Sequence, residues 1–183
     1  MKNKNVTDKL YFLRIFLFGE GSLHKLREKS NWKYFALFLV LAALLESLPT
    51  SMEEIQKIPF FFATSITKLF LLSFVVLGIA LLLGMKSKVG NFMGSVFTVL
   101  FIALLLTTIL AYVSIIIFQS ILNLSEIAQL IQNILPFYTY ALFAWGCEYS
   151  AGLSQGKGIL LAILCLILIV LFGQIQIFFF QFY

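Results

Sequence analysis

The feature that most constrains this chain is a run of 37 residues, Val89 to Ser125, without one charged side chain. Its central part, residues 96–118, is longer than the about 20 helical residues that cross the apolar core of a bilayer. A surface helix of a soluble protein would carry polar residues along one face. Here only Thr98, Thr107, Thr108 and Ser114 interrupt the apolar sequence, and their hydroxyls can bond to their own backbone. The run therefore predicts a transmembrane helix.

Composition extends this prediction to the whole chain. Of the 183 residues, 61% are hydrophobic and 11% are charged, whereas about a quarter of an ordinary globular chain is charged. We expect an all-α integral membrane protein, a bundle of five transmembrane helices preceded by a short basic, interfacial and amphipathic segment. The segment covers residues 1–33 and the transmembrane domain residues 34–183, with helices at about 34–48, 62–84, 93–118, 127–147 and 158–180.

The distribution of charge predicts the orientation. Residues 1–33 hold eight of the thirteen Lys and Arg residues against three acidic ones, which is typical of a cytoplasmic end beside anionic lipid. Five spans then place the C-terminus outside, and the charges of every loop agree: Lys86, Lys88 and Lys157 lie inside, and Lys57 with Glu53, Glu54 and Glu126 lies outside. Four or six spans would break this pattern. Residues 8–30 lie either on the membrane surface or packed under the bundle, and the sequence leaves both arrangements open.

Three stretches resemble a known family. The first, WGCEYSAGLSQGKGILLAIL (145–164), consists of an aromatic-rich helix end, a Gly-Leu-Ser-x-Gly-Lys turn and an apolar helix. The second, LRIFLFGEGSLHKLREKSNWKY (13–34), is a surface segment before the first helix. The third, GMKSKVGNFMGSV (84–96), is a link that contains glycine and lysine. Together they are similar to the Yip (Ypt-interacting protein) domain family. The resemblance implies a five-pass membrane protein with a cytoplasmic N-terminus and an accessory role in membrane trafficking. The long polar tail of the eukaryotic members is not seen, so we expect a short prokaryotic member of the cytoplasmic membrane, without binding of Rab-type GTPases.

Two charged residues fall inside predicted helices. Glu46 lies about 20 Å along the helix from Lys33, and Lys68 lies about 27 Å from Lys86, at 1.5 Å per residue. Both therefore lie in the outer part of an apolar core of about 30 Å. They either form an intramembrane pair, if the first two helices are neighbours, or each reaches interfacial water separately.

Two Gly-x-x-x-Gly pairs predict close contacts or turns. Gly90 and Gly94 are one helical turn apart and predict a packing face at the inner end of the third helix. Gly152 and Gly156 lie in a connection, where glycine supplies backbone freedom. The latter stretch differs from a phosphate-binding loop, because the first glycine of that motif and the preceding strand are missing.

The residue inventory argues against an enzyme. The only histidine is His24, and the two cysteines, Cys147 and Cys165, are far apart in apolar runs, so neither a metal site nor a serine–histidine arrangement is expected. Glu53 and Glu54 resemble the paired glutamates of CAAX-type proteases, but those enzymes need histidines in the membrane. The sequence shows no basic helix face with an aromatic platform, so we expect no binding of nucleic acid. We expect no catalytic residue, no metal and no cofactor.

Two functions remain. The first is a non-enzymatic, Yip-like membrane protein that organises lipids or a membrane or cytoplasmic partner protein. Its candidate contacts to anionic head groups or to the partner are the basic residues Lys25, Arg27, Lys29, Lys86, Lys88 and Lys157. The alternative is a transporter, or an accessory subunit of an exporter, that uses Glu46, Lys68 and the polar fourth helix with Pro136. A transporter of this size would have to form a homo-oligomer.

Overall fold

The computed structural model describes residues 20–47 and 58–180, and all regular structure among them is helical. The helices are α1 (Glu20–Lys29), α2 (Trp32–Glu46), α3 (Ile58–Leu82), α4 (Val89–Ser114), α5 (Ser125–Ala151) and α6 (Gln155–Phe180). A π-helical segment, Ile115–Ile121, continues α4. The all-α class is therefore confirmed for the part of the chain that the structure describes.

Three of these helices are long and apolar enough to cross a membrane. They are Ile58–Leu82, Val89–Ile121 and Gln155–Phe172, with mean hydropathies of 2.3, 2.7 and 2.4. At most a third of the residues in these windows is buried inside the protein. Because the remaining apolar side chains face outward, the natural surroundings of these helices are lipid. The chain is an all-helical membrane protein.

Five helices surround one core. Going around the bundle, α2 contacts α3, α3 contacts α6, α6 contacts α5, α5 contacts α4, and α4 returns to α2. The core between them is centred on α4, in which every residue from 92 to 100 is buried. Phe92, Phe97 and Phe143 are the largest side chains that are fully enclosed. Phe35 of α2 meets Phe97 edge to face, with ring centroids 5.1 Å apart, a favourable geometry for aromatic pairs.

The hydroxyl groups of α4 are satisfied within the helix. Thr98 donates to the carbonyl of Gly94, Thr107 to that of Ala103 and Ser114 to that of Ala111. These bonds confirm the expectation for three of the four hydroxyl residues in the uncharged run. They allow the helix to carry hydroxyls in an environment without water.

Helix α1 packs against the bundle. Leu23 and Leu26, three residues apart, are buried in a cluster with Val99 of α4 and Leu142 of α5, while Lys25 and Lys29 are exposed on the other face. Of the two arrangements that the sequence left open, these residues adopt the packed one, in the groove between α4 and α5. Helix α1 begins at Glu20 and ends at Lys29. Residues 8–19 lie outside the described part.

The helix ends differ from the predicted ones for local reasons. Asn31 caps α2 and accepts a hydrogen bond from the backbone of Lys33 at 2.9 Å, so this helix starts at Trp32 and not at Tyr34. Helix α3 begins at Ile58, before Pro59, because proline is favoured in a first helical turn. Between α4 and α5, Asn123 adopts a left-handed conformation with φ 53°, which Asn tolerates better than most residues. Helix α5 continues through Pro136.

Candidate functional site

The molecule has two polar regions, one at an end of the bundle and one inside it. The first, called here the cationic end, comprises α1, the start of α2, the α3–α4 connection and the α5–α6 turn. The second, called the polar layer, comprises Glu46, Lys68, Thr107, Thr139 and Tyr140. It lies in the half of the bundle away from the cationic end.

Hydrogen bonds join the separate segments of the cationic end. The backbone N–H groups of Lys86 and Ser87 donate to the carbonyl of Ala151 at 3.1 and 3.3 Å. The Ser87 hydroxyl donates to the carbonyl of Ser150 at 2.6 Å. The α3–α4 connection is therefore attached to the C-terminus of α5, where the last carbonyl groups of a helix need donors.

Two further bonds bring in α1 and α6. The amide of Asn91, in the first turn of α4, donates to the carbonyl of Arg27 at 3.0 Å. The ammonium of Lys157 reaches across to the carbonyl of Leu83 at 3.0 Å. The predicted basic residues thus come from three distant parts of the sequence and lie at one end of the molecule.

Charge at this end is strongly positive. Lys25, Lys29, Lys86, Lys88 and Lys157 are exposed, and Arg27 is half-buried. Lys33 at the start of α2 adds to them, and the acidic residues of the same segments are Glu20, Glu28 and Glu148. Clustered like charges attract anions to the surface, and the effect is strongest for anionic lipid within a Debye length.

The predicted glycines have different roles in the structure. A Cβ on Gly90 would lie 2.9 Å from the Trp32 ring, and a Cβ on Gly94 would lie 2.6 Å from the carbonyl oxygen of Asn31. These glycines therefore form a packing face against the α1–α2 junction. Gly152 has φ +65° at the end of α5, beside Arg27 and Ser87. A Cβ on Gly156 would meet no atom within 4 Å.

The polar layer contains an ion pair. The ammonium nitrogen of Lys68 lies 2.5 Å from Oε2 of Glu46, and 15% and 17% of these two side chains remain exposed. Each residue lies 14 positions from the end of its helix at the cationic end, Trp32 in α2 and Leu82 in α3. At 1.5 Å per residue both are about 21 Å from that end, so two antiparallel neighbours place them at the same height.

A small cavity adjoins this ion pair. Its volume is about 50 Å³, and residues of all five bundle helices line it: Glu46, Lys68, Leu69, Leu72, Leu100, Leu104, Thr139, Tyr140, Ile169 and Phe172. Thr139 donates a hydrogen bond of 3.1 Å to Thr107 across the α4–α5 contact. Sequence reasoning missed Thr139, because a threonine hydroxyl in an apolar helix normally indicates only a bond to its own backbone, and it also missed Tyr140.

The described residues hold too few metal-ligating groups in any one place for a metal site. They contain no cluster of three or more His, Cys, Asp or Glu side chains that could hold a metal ion. Cys147 and Cys165 are reduced and buried in α5 and α6. Glu53 and Glu54 lie outside the described part.

The chain was compared with models of protein families, with curated proteins and with solved structures, and it matches none of them. The resemblance to the Yip domain family therefore stays a prediction. The cationic end and the polar layer are therefore the features on which a function can be proposed.

Proposed function

We propose that this protein is a non-enzymatic, five-pass membrane protein that uses its cationic end to organise anionic lipids or a partner protein at the cytoplasmic face. One observation supports this most: hydrogen bonds join the segments that carry the basic residues, namely α1, the α3–α4 connection and the α5–α6 turn, at one surface. Because the fold holds these segments in place, binding to head groups has to order the side chains but not the backbone.

The five-span topology is supported by the closed ring of helices. Helix α5 has 27 residues and an ideal length of about 40 Å, enough to cross a core of about 30 Å. The 15 residues of α2 cover about 22 Å, so α2 needs residues beyond Glu46 or a locally thinner bilayer to cross. Both helices contact α4, the most apolar of the three long helices, and would cross beside it.

The proposed orientation places the cationic end in the cytoplasm and the polar layer in the outer half of the membrane. It follows the excess of Lys and Arg that cytoplasmic loops carry. The predicted resemblance to the Yip family agrees with this orientation, and we propose an accessory role in the cytoplasmic membrane of a prokaryote.

Lipid titration of the full-length protein tests the proposal. The purified protein is titrated with phosphatidylglycerol or phosphatidylcholine, and bound lipids are counted by native mass spectrometry at two salt concentrations. The triple variant Lys25→Gln, Arg27→Gln, Lys29→Gln should lose the preference for phosphatidylglycerol, worth about 1 kcal/mol per basic residue near the surface. The matched control, Lys25→Arg, Arg27→Lys, Lys29→Arg, keeps the charge at the same three positions and should keep most of the preference for phosphatidylglycerol. Salt-insensitive binding that is equal in all three proteins would contradict the proposal.

A second candidate function is transport, either directly or as an exporter subunit. The ion pair Glu46–Lys68 beside a cavity lined by all five bundle helices favours it, because ionised side chains inside membranes mark solute and ion pathways. Loss of solute flux into proteoliposomes on Glu46→Gln would favour transport. A protein that moves no solute but is purified together with a specific partner would favour the organising function.

A further inference from the structure

The cavity at the polar layer is sealed on the side of the cationic end. Apolar side chains from every bundle helix fill the core there, among them Ala43, Val76, Phe97, Phe143 and Cys165. Ser73 and Thr98 also lie in this half, but their hydroxyls donate to carbonyl groups of their own helices. Within the described residues, the core offers water no polar path from the cavity toward the cytoplasmic end.

On the other side the surroundings become polar. The side chains of Glu46 and Lys68 keep part of their surface exposed. Along α5, the residues beyond Thr139 include Gln132, which is half-buried, and Asn133, which is exposed. Polar residues of α5 therefore continue from the level of the cavity toward the outer side of the membrane in the proposed topology.

The hydrogen-bonding state of the wall defines what can bind. Thr107 uses its proton for the carbonyl of Ala103, and Thr139 uses its proton for the oxygen of Thr107. A hydroxyl has one proton and two lone pairs, so Thr139 faces the cavity as an acceptor. The carboxylate of Glu46 is also an acceptor, the ammonium of Lys68 is a donor, and the charges of these two cancel.

We propose that this cavity is an outward-open binding site for water and for neutral solutes of a few non-hydrogen atoms that both donate and accept hydrogen bonds. A net charge on the solute would find no counter-charge, because Glu46 and Lys68 already neutralise each other. The volume of about 50 Å³ holds about three to five water positions at 10–15 Å³ each. The site belongs to the second candidate function and rests on the outward placement of the polar layer.

Silver ions test the access of water to the cavity. Ag⁺ reacts with thiols and travels through water, whereas an apolar interior excludes it. The variant Thr139→Cys is made in a protein that also carries Cys147→Ala and Cys165→Ala, and it is exposed to Ag⁺ in right-side-out or inside-out vesicles. Thiols that have not bound Ag⁺ are then labelled with a maleimide in detergent, so protection from the label measures the reaction with Ag⁺. Ala144→Cys, buried in the apolar core of the same helix, is the matched control. Thr139→Cys should be protected about a hundredfold faster, as an entry cost of about 3 kcal/mol for a charge in an apolar interior implies.

The direction and the cause of access have separate readouts. Protection should be faster in right-side-out vesicles. The experiment is repeated with Leu104→Cys, a second lining residue on α4, so that the test remains valid if Thr139→Cys fails to fold. The double variant Glu46→Leu, Lys68→Leu should dry the cavity and slow the protection of Thr139→Cys toward the control rate. Formamide, a neutral donor and acceptor, should slow protection more than tetramethylurea, which has no N–H group.

Three results would overturn the site: equal rates for Thr139→Cys, Leu104→Cys and Ala144→Cys, faster protection in inside-out vesicles, or no effect of the Leu pair. Equal slowing by both amides would overturn the solute part. Reporters at the chain ends establish the topology independently, so a dry cavity in a correctly oriented protein contradicts this inference and leaves the cationic end unaffected.

Discussion

Gly94 of α4 lies directly against the main chain of Asn31, because a Cβ atom on Gly94 would fall 2.6 Å from the carbonyl oxygen and 3.0 Å from the nitrogen of Asn31. The neighbouring main chain is the cap of α2. This contact fixes where α1 ends and α2 enters the bundle. It therefore positions the basic residues of α1 relative to those of the two loops.

Gly94→Ala should destabilise the protein. The main chain of Asn31 cannot move aside as a flexible side chain could, and we expect a loss of about 1–3 kcal/mol from overpacking. The loss is measured as a lower temperature of unfolding in detergent with a thiol-reactive dye that reports exposure of Cys147 and Cys165. Gly78→Ala in α3 is the control, because a Cβ there meets no atom within 4 Å. An unfolding temperature for Gly94→Ala at or above that of Gly78→Ala would refute this packing.

Gly152→Ala should also destabilise, for a different reason. Gly152 has φ +65°, and a left-handed conformation costs a residue with a Cβ about 1–2 kcal/mol. The guanidinium of Arg27 and the hydroxyl of Ser87, each 3.2 Å from the new atom, would have to give way. Gly156→Ala, with open space around it, should be neutral in the same assay. Equal effects of the two substitutions would count against the assigned turn.

The ion pair of Glu46 and Lys68 predicts strong coupling in a double-mutant cycle. Glu46→Gln or Lys68→Met alone leaves one buried charge without its counter-charge and should cost about 3 kcal/mol of unfolding free energy. The double variant removes both charges and should recover much of that loss. The cycle is measured by unfolding in mixed micelles with increasing SDS. Additive losses in the double variant would mean that the two side chains act independently.

The hydrogen bond from Thr139 to Thr107 predicts a smaller effect. Thr139→Val keeps the shape and removes the donor, so we expect a loss of about 0.6–1.7 kcal/mol, the range measured for hydrogen bonds between membrane helices. Thr67→Val is the matched control, because Thr67 is exposed and donates only to Ala63 of its own helix. If Thr139→Val and Thr67→Val unfold at the same SDS fraction, the hydrogen bond between Thr139 and Thr107 contributes nothing to stability.

The sequence predicted which segments form helices better than it predicted which helices contact each other. The uncharged run identified α4, and the short basic segment predicted before the first transmembrane helix contains α1. Which face of each long helix turns inward could not be predicted, since a helix surrounded by lipid is apolar all round. The height of Lys68 was overestimated, because the distance was counted from Lys86, whereas α3 ends at Leu82, before Gly84 with φ +87°. With the shorter distance, Lys68 and Glu46 lie at one height.

The order of the helices around the bundle was also beyond the sequence. Thr107 and Thr139 are 32 positions apart, and either hydroxyl could have been satisfied within its own helix. The cationic end was easier to predict, because the positive-inside rule assigns all basic loops to the same side of the membrane, whichever helices lie next to each other.

The central claim is an odd number of crossings with the cationic end in the cytoplasm. Fusions of alkaline phosphatase, active only outside the cytoplasm, and of green fluorescent protein, fluorescent only inside, are made separately at each end of the full chain and expressed in bacteria. We expect fluorescence without phosphatase activity at the N-terminus, and phosphatase activity without fluorescence at the C-terminus. The same reporter active at both ends would contradict five crossings, and with them the orientation proposed for the cationic end and the polar layer.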